Sequence, residues 1–123
     1  MDQLKEIDFE SDDFRDIIAK DARFHARAYA LLMDVVHYVC SSDKQHATGE
    51  DILDEFKERA LDQYGPLAYT VLTEWGVKCT EDVGEMMFNL VEGHRVQRGE
   101  NDTAEAFVNG YDFRETFLAP YQT

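Results

Sequence analysis

Apolar residues recur at three- and four-residue intervals along most of the chain, the spacing that aligns one face of an α-helix. Phe14, Ile17 and Ile18 follow Ser11 and two acidic residues, which predicts a short capped helix ending near Asp21. Phe24, Ala28, Leu31, Val35 and Tyr38 form one stripe of a longer second helix, and His25, Tyr29, Leu32, Val36 and Cys40 lie beside it. Two adjacent stripes make a wide apolar face, so this helix is expected at the centre of the core. The polar run from Ser41 to Gln45 ends it.

Thr48 to Asp51 has capping-box spacing, with Asp51 where Glu or Gln is usual, and opens a helix displaying Ile52, Leu53, Phe56, Ala60 and Tyr64. Gly65-Pro66 reads as one helix finishing and the next beginning, because glycine suits a helix end and proline a first turn. That next helix shows Leu67, Val71, Leu72 and Trp75 and stops at Gly76. Thr80 is placed to cap a fifth helix, with Glu81 and Asp82 at its positive end, His94 and Arg95 at its far end, and Val83, Met86, Met87, Leu90 and Val91 facing the core. Beyond it, Val96 to Gly99 has the length of a short strand and Asp102 to Glu105 again has capping-box spacing. Asn109-Gly110 suits a hairpin turn or a helix end, and Phe113, Phe117 and Leu118 predict a short helix before Pro120.

The fold expected is therefore mainly α: a single compact domain of five or six helices, with winged-helix-like order in its second half and at most one small C-terminal hairpin. Its core should gather Phe24, Leu31, Val35, Phe56, Val71, Leu72, Trp75, Met87 and Leu90, with Trp75 largely buried. A length of 123 residues, 44% of them hydrophobic and 12% aromatic, supports one domain with its own core. Residues 1–10 read as an acidic N-terminal arm and residues 11–123 as the helical domain.

Charge narrows the partners. Twenty-six Asp and Glu against 12 Lys and Arg leave a net charge of −14, a field that repels phosphate backbones and anionic lipid and favours a basic surface. Nucleic acid and membrane are thus disfavoured, and the expected partner is a protein with a basic surface. The acidic N-terminus lacks the basic, then apolar, start of a secretory signal, and the apolar runs fall short of the roughly 18 residues that a bilayer span needs. A cytoplasmic location with Cys40 and Cys79 reduced is expected.

Few residues suggest chemistry. His37 and Cys40 share a helix face, with His46 close by and Cys79 as a conceivable fourth ligand, but no C-x-x-C or H-x-x-x-H pair accompanies them. The plainer reading makes Cys40 a core residue and His37 a surface one. Asp8, Glu10 and Asp12 occupy the first calcium-loop positions, yet Asp13 and Ala19 stand where glycine and a bidentate glutamate are needed. Asp34-x-x-His37 is a single copy of what a di-iron site needs twice. No G-x-S-x-G elbow and no phosphate-binding glycine loop occurs. Asp51 with Glu55 and Asp54 with Glu58 suit a solvated helix face better than an acid/base couple. No cofactor or metal is implied. From Pro66 to Gly99 the order helix, tight turn, helix, strand resembles a winged helix-turn-helix, but the reading turn would carry Glu81, Asp82 and Glu85, which a DNA groove repels.

Ile7 to Glu10, Asp21 to Phe24 with Ala28-Tyr29, Gly65 to Ala68, Val71-Leu72 with Trp75 to Val77, Thr80 to Asp82 with Gly84-Glu85, Phe88 to Glu92 and Gly110 to Phe113 together resemble a family of small uncharacterised bacterial proteins of planctomycete and verrucomicrobial type. The resemblance spans nearly the whole chain and implies one compact domain. It supplies no activity, cofactor or catalytic residue, and the chain departs from the pattern at His94-Arg95-Val96, where a small residue followed by leucines is expected.

The function favoured is a non-enzymatic protein-binding or adaptor domain with an acidic surface, in which Asp54, Glu58, Glu81, Asp82 and Glu85 contact the partner. The alternatives are a winged-helix-like regulator and an enzyme with a site assembled from scattered residues. A deep pocket gathering His25, Asp21, Arg23 or Asn89 would favour the enzyme, and a flat apolar patch rimmed by carboxylates the binding domain.

Overall fold

The computed structural model describes residues 14–41, 49–93, 107–108 and 110–121, and within them the chain is helical with no strand. Five helices, α1 (Arg15–Lys20), α2 (Ala26–Ser41), α3 (Gly49–Tyr64), α4 (Ala68–Glu74) and α5 (Thr80–Glu92), precede a C-terminal helical turn. None is long and apolar enough to cross a membrane. Helix α2 is the hub, packed on α3 and on α5, while α4 and the C-terminal turn close over α3. Ala28, Tyr29, Leu31, Leu32, Val35, Val36 and Val39 of α2 are buried, which is the wide apolar face expected of a central helix. From the other helices come Ile52, Leu53, Phe56 and Ala60, then Ala68 and Leu72, then Val83, Met86, Met87 and Leu90.

Several boundaries and stripes differ from the expectation for physical reasons. Phe24 and His25 precede α2 instead of joining it, and Nδ1 of His25 accepts the Arg27 N–H at 3.0 Å, which caps the helix. Helix rotation brings Val39 into the core and leaves Tyr38 and Cys40 exposed, so Cys40 is not the core residue expected. Trp75 and Val71 are only partly buried: the indole stacks on His25 and meets the Tyr64 ring edge-on at 5.6 Å, an aromatic cluster at the margin of the core. Leu67 sits in a 3-10 turn, Gly65–Leu67, and is 63% exposed. The C-terminal turn, π-helical over Arg114–Leu118, runs on through Pro120 as Ala119–Tyr121 and does not stop before it. Phe113 and Phe117 anchor that turn in the core, 5.0 Å apart and edge-to-face, with Tyr111 stacked alongside. The expected strand at Val96 to Gly99, the cap at Ser11, the charges at His94 and Arg95 and the acidic arm lie outside the described residues.

Two turns set the helix directions. Gly65 and Gly76 both have positive φ, 51° and 91°, a region in which side chains with a Cβ are strained. At Gly76 the chain also passes directly against the Arg23 carbonyl, and His25 N–H donates to Trp75 O at 3.0 Å beside it. These contacts tie the α4–α5 turn to the start of α2. In consequence α4 leans on α3 and α5 leans on α2.

Thr80 was expected to cap α5, but Cys79 holds the cap position and Thr80 is the first helical residue, fully buried. Its hydroxyl donates to Phe107 O at 2.6 Å and accepts the Gly110 N–H at 3.0 Å, which fastens the segment after α5 back onto that helix. The Cys79 side chain makes no cap hydrogen bond, and the Asp82 carboxylate folds back to accept the Lys78 N–H at 2.9 Å, just ahead of the helix.

Candidate functional site

Helix α5 buries Val83, Met86, Met87 and Leu90, so periodicity turns Glu81, Glu85, Phe88 and Glu92 to the opposite side. These four follow steps of four, three and four and form a single exposed stripe. At its centre Phe88 is 61% exposed. The stripe borders a cleft of about 320 Å³ between α1 and α5, lined by Asp16, Ile17, Lys20, Asp21, Arg23, Glu85, Phe88, Asn89, Glu92 and Gly93.

The floor of the cleft is a hydrogen-bonded network that joins the loop after α1 to α5. Asp21 accepts from Arg23 Nε and Nη2 at 2.8 and 2.7 Å and from Asn89 Nδ2 at 2.9 Å. Asn89 Nδ2 also donates to the Tyr29 hydroxyl at 3.0 Å. The Arg23 guanidinium, with help from Asn89, holds the Asp21 carboxyl well below the usual carboxylate range, and Asp21 in turn raises Arg23. Burial pushes the Tyr29 hydroxyl up. Both shifts lead away from neutral pH, near which a general acid or base works best.

Three of the four residues whose convergence would favour an enzyme, Asp21, Arg23 and Asn89, thus meet here, whereas His25 stacks on Trp75 and does not line the cleft. What they form is a locked ion pair. A second depression, about 490 Å³, lies by Tyr69, Lys78, Cys79, Glu81, Tyr111, Asp112, Phe113 and Arg114. Burial raises the Cys79 thiol above its ordinary value, which disfavours the thiolate that nucleophilic chemistry requires. Cys40 and His37 are exposed on α2, and no metal-binding group of three or more His, Cys, Asp or Glu occurs among the described residues.

The five carboxylates expected to meet a partner lie on two helices, Asp54 and Glu58 on α3 and Glu81, Asp82 and Glu85 on α5. Glu81 and Glu85 share the α5 stripe, but Asp82 is turned to the Lys78 backbone. Asp54 and Glu58 are exposed on α3, where burial pushes the Tyr111 hydroxyl up and the nearby Asp54 carboxylate adds to the shift. Glu85 stands 3.7 Å from Arg23, beyond hydrogen-bond distance. Phe88 and Glu92 were missed, although their spacing from Glu81 and Glu85 is written in the sequence. Compared with known proteins, the chain matches no family model, no curated protein and no solved structure.

Proposed function

We propose that the protein is a non-enzymatic, cytoplasmic binding domain that docks a protein with a basic surface on the outer stripe of α5. The observation that carries this reading is Phe88, a large aromatic side chain 61% exposed between Glu85 and Glu92 on one helix face. Aromatic anchors supply much of the binding energy at interfaces, and a charged rim supplies encounter rate and selectivity. A net charge of −14 extends that rim into a field over the whole molecule. The alternative of a winged-helix regulator is weaker, because α4 and α5 pack on different neighbours and the first turn of α5 presents carboxylates.

The test places a photo-crosslinking phenylalanine at position 88, identifies the attached protein, and measures association of the purified pair. Association should slow as ionic strength rises, and Glu81→Lys with Glu85→Lys should slow it further. Phe88→Ala should speed dissociation by roughly tenfold or more, as loss of an interface anchor does. An acidic partner, or a basic one whose kinetics ignore all three substitutions, would remove the basis for this reading.

A further inference from the structure

The chemistry of the stripe specifies its occupant further, an inference that rests on α5 being the docking face. We propose that the partner presents an arginine, whose guanidinium lies over the Phe88 ring and bonds to Glu85 and Glu92. Glu85 precedes Phe88 by three residues and Glu92 follows it by four, which puts their Cβ atoms about 5–6 Å from that of Phe88, one on each side of it along the helix. A guanidinium within about 6 Å of the ring centroid is then in reach of carboxylate on either side.

The protein builds the same arrangement twice from its own residues. Arg59 lies over the Tyr38 ring at 5.4 Å while its Nη2 donates to Glu55 at 3.0 Å. Arg23 lies over the Phe24 ring at 5.0 Å while it pairs with Asp21 at 2.7 Å. At Phe88 the ring and two carboxylates are present, and no cation of the described residues stands over the ring. The Arg23 guanidinium, which lines the same cleft, is held by Asp21 and reaches Glu85 only at 3.7 Å.

Charge favours a cation and also places it. Asp16, Asp21, Glu85 and Glu92 face Lys20 and Arg23 around the cleft, so the lining is acidic overall while both of its cations belong to α1 and the loop after it. On that side two carboxylates balance the two cations, whereas the α5 side carries Glu85 and Glu92 alone, so an incoming cation is drawn to the α5 side, over Phe88. Arginine suits the position better than lysine, because its flat, weakly hydrated guanidinium stacks on a ring and still offers donors around its own edge, which a hydrated ammonium does not.

The experiment titrates the full chain with three blocked tetrapeptides, acetyl-Gly-X-Leu-Gly-amide with X as arginine, lysine or citrulline, and follows the Phe88 ring and the amides of residues 85, 88 and 92 by NMR. The arginine peptide should shift these signals and bind about two- to fivefold tighter than the lysine peptide, and the uncharged citrulline peptide should leave them unmoved. Phe88→Leu, at an exposed position and checked for folding by circular dichroism, should erase the preference for arginine, and Glu85→Gln with Glu92→Gln should weaken both charged peptides. Equal binding of arginine and lysine at these signals, or a preference that survives Phe88→Leu, overturns the stacked arginine and leaves the docking face standing. Shifts confined to other parts of the chain overturn both.

Discussion

Thr80→Val should destabilise the fold by about 2–3 kcal/mol, most of it from one carbonyl. The Thr80 side chain is fully buried, its hydroxyl donates to Phe107 O at 2.6 Å, and it accepts the Gly110 N–H at 3.0 Å. Valine keeps the shape and removes both bonds. Phe107 is buried, so its carbonyl loses a partner where water does not replace it, a cost of about 1–3 kcal/mol; Gly110 is exposed and its N–H can turn to solvent for roughly 0.5 kcal/mol. For a domain of this size the sum corresponds to a fall in Tm of roughly 6–15 °C. Thr80→Ser retains the hydroxyl and should cost about 1 kcal/mol or less. Thr80→Asp separates two readings: a helix cap would accept it without loss, whereas a buried donor to Phe107 O would not, since aspartate offers no proton and buries a charge. Urea and thermal unfolding followed by far-UV circular dichroism measure all three. A valine variant within about 0.5 kcal/mol of the parent, or an aspartate variant as stable as the parent, would refute the latch.

Two further outcomes follow from the loop that frames the cleft. Gly76→Ala should cost about 2–4 kcal/mol in urea unfolding, because its Cβ would meet the Arg23 carbonyl in a backbone region already strained for alanine, while Gly65→Ala, with open space around it, should cost only about 1–2 kcal/mol. Asp21→Asn should lower stability by about 1 kcal/mol, a figure discounted because Arg23 is 56% exposed. The sign with pH follows from a carboxyl held below its ordinary value of 3.8 in the fold: its contribution is full above 3.8 and declines as pH falls below it. The Tm difference between parent and Asp21→Asn should therefore be flat from about pH 5 to 8 and shrink in more acid solution, and a gap that widens there would contradict the assignment.

The helices were legible because their cores are periodic. Phe56, Leu72, Met87 and Leu90 are buried as spacing demands, and Gly65, Pro66 and Gly76 mark real turns. What local reading missed depends on residues far apart in sequence. Thr80 satisfies the local rule for a helix cap, but partners 27 and 30 residues away claim its hydroxyl. Asn89 bonds Asp21 across 68 residues, and nothing near either residue announces it. Tyr38 and Cys40 occupy plausible apolar positions, yet the rotation of α2 against α3 and α5 buries Val39 instead.

The candidate site was legible in part, and the missing part was its centre. A phenylalanine is assigned to the core by default, so Phe88 drew no notice beside the true core face of Val83, Met86, Met87 and Leu90. The informative signal was a conflict between residue type and register: Phe88 falls in step with Glu81, Glu85 and Glu92, on the side where α5 is otherwise charged. The same register test sorts the acidic residues, which composition treats alike. Asp21 is paired with Arg23, Glu55 with Arg59, and Asp82 with a backbone amide, so these carboxylates act within the fold. Glu85 and Glu92 flank the one exposed aromatic side chain on α5. A partner that follows the overall field of −14 is therefore directed toward acidic surface in general, and Phe88 is what distinguishes this stripe from the rest.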